Sequence, residues 1–391
     1  MLTDRYSIRE KNEQYVISII NQKPKISRAE VAKESGLNKA TVSDIVNKLV
    51  KEKLLIEVGS GISSVVGGRK PILLQLNKQA GVSLSIDLGY DYLSVVLTNL
   101  NGELLDTYKE VILITKENVV DLCLKTIEGF QKKANHTPYG IVGVAIAIHG
   151  IVYDNSILFT PYYDLNEIDL YSILTEKTGL PIHLENEANL TALAEVSHAP
   201  SHNNIVSISI HSGIGAGIII DSELYYGRDG RSGEIGHTIL FPDGTPCPCG
   251  NRGCLEQYSS EKAILQKYNK LKHTDNLTLR NLKIDFYHKE SIAVQLIQQF
   301  ASFIATGINN VIVSFGPENV YVNSNFIIEI PEILSLIENE MDSSFSKNVP
   351  ILLSKLGENA ILIGATALNL QEFFHIPSVK LESSKSLIKP I

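Results

Sequence analysis

The chain has 391 residues, 44% hydrophobic and 20% charged, which suggests two or three domains with length enough to bury cores. Its net charge of −8 hides a split: residues 1–77 carry 13 Lys/Arg against 8 Asp/Glu (+5), and the remainder 22 against 35 (−13). A basic head on an acidic body points a polyanion partner at the head only. Four cysteines, three of them crowded into positions 247–254, exclude an even disulfide framework and suit a reducing compartment. The apolar run Gly140 to Val152 spans 13 residues, short of the roughly 20 that cross a bilayer, and no secretory signal is visible, so the expectation is a soluble cytoplasmic protein.

In the head, Ile8 to about Asn21 is amphipathic and carries Val16, Ile17, Ile19 and Ile20. Ser27-Arg28-Ala29-Glu30 is a capping box that opens a short helix ending at Gly36. Asn38 caps the next helix, in which Val42, Ile45, Val46, Leu49 and Val50 fall at i, i+3, i+4, i+7 and i+8 and form an apolar stripe. Helix, short helix, glycine turn and helix is the helix-turn-helix arrangement. The opposite face offers Lys39, Ala40, Thr41, Ser43, Asn47 and Lys48, small or polar side chains able to read a major groove. Asp44 on that face repels phosphates, although an acid accepts from a cytosine amine. Leu54 to Val58 and Ile72 to Leu76 read as the strands of a wing, with a Gly/Ser-rich turn over 59–68 and Arg69 and Lys70 set for phosphates or a minor groove. A winged helix used only for protein contact is the competing reading.

The body opens with two strands, Ser83 to Gly89 and Tyr92 to Thr98, and Asn101-Gly102 is a hairpin turn. Ile141 to Ile148 is a buried strand running into His149-Gly150. Pro181 to Leu184 leads into Glu185-Asn186-Glu187-Ala188-Asn189 and a helical pattern, where Asn186 and Glu187 read by themselves as a helix cap and its neighbour. After the strand Ile205 to Ile210, Gly213, Gly215 and Gly217 make a weak phosphate-loop pattern, because strand turns favour glycine too. His237, Cys247, Cys249 and Cys254 supply four soft or borderline ligands, with Gly250 and Gly253 permitting the tight turns between them. Four protein ligands close a tetrahedral zinc shell, so the ion is structural; the alternative is free thiols in a turn. Helical patterns follow at Glu261 to Leu271 and Ser291 to Val313, Gly357-Glu358-Asn359-Ala360 leads into Ile361 to Leu368, and residues past about 378 are expected to be loosely held.

Glu234-Ile-Gly-His237 followed by Cys247-Pro-Cys249-Gly-Asn-Arg-Gly-Cys254-Leu-Glu256 resembles the signature of the ROK family of sugar kinases and sugar-responsive repressors, with every fixed position met. The resemblance implies an α/β chain: a winged helix-turn-helix domain over 1–77, then an actin-like or hexokinase-like two-lobed domain over 81–391, its lobes about 81–197 and 198–375. It also implies a sugar held between the lobes by Asn186, Glu187, Glu234, His237 and Glu256, and zinc on His237, Cys247, Cys249 and Cys254. Lys39-Ala40-Thr41-Val42-Ser43 and Gly68-Arg69-Lys70-Pro71 look like the repressor branch, the xylose-responsive members in particular.

Three departures from the kinase pattern argue against phosphotransfer. Tyr90 and Asp91 stand where a phosphate-cradling turn has Gly and Thr; a bulky ring hinders backbone approach and a carboxylate repels phosphate. Glu187 replaces the Asp general base, and one added methylene costs on the order of a hundredfold in a positioned proton transfer. Asn323 and Ser324 replace glycines that face the adenosine. The expectation is therefore no catalytic residue and no enzyme, but a homodimeric repressor that binds a palindromic operator and is released by a monosaccharide, xylose or a related sugar. An ATP-dependent sugar kinase with a DNA-binding regulatory head is the alternative, and control by a partner protein a third reading.

Overall fold

The computed structural model describes residues 2–60, 70–134, 136–161, 163–166, 168–198 and 202–381, the side chains of 2–7 and 60 excepted. The head is built from α1 (Leu2–Gln22), β1 (Ile26–Ser27), α2 (Arg28–Ser35), α3 (Lys39–Lys51), β2 (Leu55–Ser60) and β3 (Ile72–Leu76). Ser27 caps α2 as expected: its Oγ accepts from Glu30 N while Glu30 Oε2 accepts from Ser27 N, and Gly36 ends the helix in the left-handed region at φ +69°. Asn38 Oδ1 accepts from Thr41 N at 2.8 Å to start α3. The stripe of α3 is the core of the head: Val42, Ile45, Val46 and Leu49 are buried with Val16, Ile17, Ile20, Val31, Leu55 and Leu74. Each such side chain contributes about 1.5–3 kcal/mol on burial, which secures the helix pair. The wing is three-stranded, order β1-β3-β2, one strand more than the sequence suggested.

The body begins with β4 (Val82–Leu88), β5 (Tyr92–Asn99) and β6 (Leu104–Val111), an antiparallel meander turned at Gly102, whose φ is +85°. Then come α4 (Val119–Ala134), β7 (Ile141–Ile148), the small hairpin β8 (Ile151–Tyr153) and β9 (Ser156–Phe159), α5 (Leu170–Thr178) and β10 (Ile182–Asn186). The first sheet runs β10-β7-β4-β5-β6. The chain continues through α6 (Glu187–His198), β11 (Ile205–Ile210), β12 (Ile214–Ile220), β13 (Glu223–Leu224), α7 (Glu256–Ser259), α8 (Glu261–Leu271), α9 (Leu279–Tyr287) and α10 (Ser291–Phe315). It ends with β14 (Asn319–Asn323), α11 (Asn325–Glu329), α12 (Glu332–Asn339), β15 (Ile351–Leu353) and α13 (Ala360–Phe374). The second sheet runs β13-β12-β11-β14-β15, a meander continued by two parallel strands. The two strand orders match position for position, a structural repeat that no obvious sequence repeat announces.

The chain divides into two compact units, Met1–Ala147 with Ile168–Leu184 and Ala365–Ile391, and Ile148–Glu167 with Glu185–Gly364. The chain passes from one to the other four times. The head groups with the first unit, where Tyr139 Oη donates to the Glu52 carbonyl at 3.0 Å. The expectation of loosely held residues past 378 is corrected for the first of them. Val379 and Leu381 are buried, and Asn21 accepts from Lys380 N at 2.6 Å while its amide donates to Lys380 O at 3.1 Å.

The second unit is organised on α10. Leu296, Ile297, Phe300, Ile304, Ile308 and Ile312 are buried against the second sheet's Val206, Ile208, Val320 and Val322. By length and composition α10 is the one helix among the described residues that could span a bilayer, a more extended apolar segment than 140–152. It is a core helix here, half of its most apolar window being buried.

Candidate functional site

At the β10–α6 junction the strand hands the chain to a helix whose first N–H groups need acceptors. Asn186 Oδ1 accepts from Ala188 N (2.8 Å) and Asn189 N (3.1 Å), and its Nδ2 donates to Gly150 O at 2.7 Å. The cap reading of Asn186 is thus realised, and one amide N–H is left for a ligand. Behind it stands a residue the sequence reading passed over. Glu185 is 5% exposed and accepts from Asn186 N (2.8 Å) and Asn189 Nδ2 (2.9 Å) with Oε1, and from Tyr226 Oη (2.9 Å) with Oε2. Burial raises its pKa, and these hydrogen bonds oppose the rise. Only the packed structure brings Tyr226 to it.

The β11–β12 hairpin lies on α6. A Cβ at Gly217 would meet the Ala188 carbonyl at 2.3 Å, and one at Gly215 would meet Ala188 Cβ at 3.2 Å with Glu187 Oε1 at 3.6 Å. These glycines therefore serve close packing of strand on helix, the structural side of the weak phosphate-loop pattern. Gly233, at φ +80°, is tighter still, its absent Cβ falling 1.8 Å from Ala216 O. That approach delivers Glu234 and His237 beside the hairpin.

Glu187, Glu234, Glu256 and His237 line one cavity with His149, Asn186 and the 211–215 turn. Every lining residue belongs to the second unit. Glu256 Oε2 accepts from Ile214 N at 3.1 Å, so one oxygen is anchored to the hairpin. Burial first, then the charges of Glu187 and Glu256, push the Glu234 carboxyl up to about 7. Three carboxylates and an imidazole facing one space form a set of acceptors and one donor suited to a ligand rich in hydroxyl groups.

His237 faces two ways. Its Nε2 lies 3.8 Å from Glu234 Oε2, and its Nδ1 lies 3.5 Å from Cys247 Sγ. Cys249 Sγ and Cys254 Sγ are 3.7 Å apart, and the four ligand atoms all fall within 4.8 Å of one another, so the cluster could hold a metal ion. The loop is closed by Gly250 (φ +95°) and Gly253 (φ +79°), the latter pressed on the Phe241 carbonyl, and by bridges Ile239–Cys254 and Pro246–Arg252. Cys247 and Cys254 are buried and Cys249 is exposed.

At the positions that depart from the kinase pattern, side chains fill the local space. In the first unit a ring does close over the 87–91 turn, but it is that of Tyr92. A Cβ at Gly89 would meet that ring at 2.1 Å, and Tyr92 Oη donates to Asp87 Oδ2 at 2.9 Å. Tyr90, expected to hinder the approach, is 42% exposed. In the second unit Asn323 and Ser324 are buried; Ser324 caps α11 and donates to Glu261 Oε1 at 3.1 Å.

On the head, Lys39, Ala40 and Asn47 are exposed along α3, and Thr41 and Ser43 are half-buried. Lys48 does not present a free cation: its ammonium bonds both oxygens of Glu13 at 2.8 and 2.7 Å, with Glu52 at 3.9 Å. Arg28, which the sequence reading did not select, donates to Asn47 Oδ1 at 3.2 Å and to Glu57 at 3.0 Å. Lys70 is exposed, and Arg69 lies outside the described residues.

A winged helix followed by a two-sheet body with a carboxylate-lined cavity defines a class, the DNA-binding regulators built on a sugar-kinase-like fold. Residues 83–372 match the ROK family model and residues 9–56 a winged helix-turn-helix DNA-binding model. Over 388 residues the chain is 36% identical to the xylose repressor of Bacillus spizizenii (strain ATCC 23059 / NRRL B-14472 / W23), covering 96% of this chain and 99% of the relative. It is 26% identical over 378 residues to the DNA-binding transcriptional dual regulator NagC of Escherichia coli (strain K12), 92% of each chain. A crystal structure of a ROK family transcriptional regulator, homolog of the E. coli MLC protein, matches with a TM-score of 0.80 at 30% identity, covering 94% of this chain and 97% of the other. A ROK family glucokinase from Streptomyces griseus, in complex with glucose and AMPPNP, matches at 0.65 and 25% identity over 74% of this chain and 99% of its own. The chain belongs to the ROK family. Its near-full-length relatives are repressors and regulators, and it is a transcriptional regulator rather than an enzyme.

Proposed function

We propose that this protein is a cytoplasmic, homodimeric, sugar-responsive repressor of xylose-utilisation genes, released from its operator by xylose or a related monosaccharide. The observation that carries the sugar part is the convergence of Glu187, Glu234, Glu256 and His237 Nε2 on one cavity. Carboxylates accept from adjacent hydroxyls and the imidazole donates, while Asn186 holds the turn and contributes its remaining N–H. Glu185 fixes that turn from behind.

The metal assigned to the cluster is zinc. Tetrahedral zinc with Zn–S near 2.3 Å sets sulfur pairs about 3.8 Å apart and sulfur–nitrogen pairs about 3.5 Å apart. The 3.7 Å between Cys249 and Cys254 and the 3.5 Å between Cys247 and His237 Nδ1 fit those spacings. Bound there, the ion would supply structural cross-linking and fix the imidazole; His237 Nε2 would then be the nitrogen that donates to the sugar.

The DNA part rests on α3 and the wing, with Lys39, Ala40, Thr41, Ser43 and Asn47 as groove readers and Arg69 and Lys70 as phosphate contacts. Lys48 belongs with them by sequence and with Glu13 by geometry. The domain limits that go with this reading are 1–77 for the DNA-binding part and 81–391 for the sugar-binding part. A hundredfold loss of operator affinity on sugar binding needs a coupling of about 2.7 kcal/mol, within the common range for such switches.

Fluorescence anisotropy of the purified chain on duplexes tiled across the DNA flanking its own gene, titrated with xylose, arabinose, glucose and N-acetylglucosamine, tests the reading. Xylose should weaken binding to one duplex at least tenfold. If no sugar weakens any complex, the induction model is wrong. ADP release with sugar and Mg-ATP should stay at background.

A further inference from the structure

A second cavity adjoins the first. The two share Phe159, Pro161, Ser212, His237 and Glu256 as a common wall. The two are of similar size, with empty volumes of ≈ 580 Å³ and ≈ 530 Å³. Beyond the common wall it is lined by Gln257, Ser260, Lys262 and Gln266, together with Pro248 and Cys249 of the metal loop, all in the second unit.

The chemistry changes across the wall. The first cavity holds three carboxylates; the second adds amides, a hydroxyl and an ammonium and no further carboxylate. Amides donate and accept, as a sugar ring's mixed hydroxyls and ether oxygens require. Phe159 and Pro161 offer flat apolar surface at the junction, the kind of surface on which the C–H face of a pyranose packs. An anionic substituent would find Lys262, but it would also sit beside Glu256 with Glu187 and Glu234 behind it, and like charge disfavours that.

We propose that the two cavities are adjoining subsites and that the protein binds a neutral disaccharide, one ring among Glu187, Glu234, Glu256 and His237 and the next ring against Phe159, Gln257, Lys262 and Gln266. This rests on the sugar-site reading above and extends it from a monosaccharide to a two-ring ligand. Because the second ring lies against the metal loop, the loop acts as a specificity wall as well as a brace.

Isothermal titration of the full-length, zinc-loaded protein with xylose and with its 1,4-linked dimer, xylobiose, tests the proposal. Xylobiose should bind at least tenfold tighter than xylose. Gln266 is exposed, so Gln266→Trp should fold normally and fill the second cavity. It should bring xylobiose down to the affinity of xylose and leave xylose unchanged, which also certifies the fold. Equal or weaker binding of xylobiose, equal loss of both ligands in Gln266→Trp, or a preference for a sugar phosphate over both would overturn the two-ring site while leaving the monosaccharide reading intact. Absence of binding by either sugar would remove the sugar-site reading itself, and this inference with it.

Discussion

Glu195 shows how one buried carboxyl sets a pH dependence. It is 6% exposed on α6, its Oε1 accepts from Ser354 Oγ at 2.5 Å, and burial pushes its pKa up to about 7 from an ordinary 4.5. The folded protein therefore keeps this proton between pH 4.5 and 7, where the unfolded chain has released it. The stability it confers is complete below the lower value and is lost as pH rises through the higher one. Glu195→Gln, which preserves the acceptor for Ser354, should raise stability at pH 8 by up to about 3 kcal/mol and flatten the slope between pH 5 and 7, read from urea unfolding at each pH. At the His/Cys cluster, Cys254→Ser removes a buried thiol. On the zinc proposal, plasma mass spectrometry should find one zinc per wild-type chain and none in the variant, and the melting temperature should fall by several degrees, a fall that chelation of the wild type reproduces.

At the scale of elements, glycines separate those that the fold requires from those that it tolerates. Gly233 is left-handed and its absent Cβ points at the Ala216 carbonyl 1.8 Å away, so Gly233→Ala should destabilise by more than about 2 kcal/mol and displace Glu234 from the cavity. Gly129 sits in α4 with nothing within 4 Å of its would-be Cβ, and Gly129→Ala should stabilise by about 0.5–1 kcal/mol. Thermal melts of the pair decide both. The same distinction explains the glycines of the β11–β12 turn, which a sequence pattern alone cannot assign to phosphate or to packing. Gly215 and Gly217 are where α6 touches the hairpin.

For the whole molecule, the head is where charge should act. Lys70 is exposed at the wing, so Lys70→Ala should weaken binding across all duplexes and lower the slope of log K against log salt by about 1. Lys48→Ala should leave that slope nearly unchanged, because Glu13 already holds the ammonium, and should instead lower the melting temperature of the protein. Residues 379–381 are part of the same unit through Asn21. Asn21→Ala should therefore speed hydrogen exchange at Lys380, whose N–H it accepts.

Local signals settled a good part of this protein before any packing was considered. The capping box of α2, the stripe of α3, the hairpin glycine at 102 and the His/Cys cluster are all short-range features, in which a few neighbouring residues satisfy one another's hydrogen bonds or fall close together. What tertiary structure alone decided depends on residues far apart in sequence. Tyr226 reaches Glu185 across 41 positions, Lys48 is drawn to Glu13 across 35, and all the cavity's lining residues fall in one unit. The physical reason is that a sequence shows which groups need partners, whereas burial and chain crossing choose among the partners available.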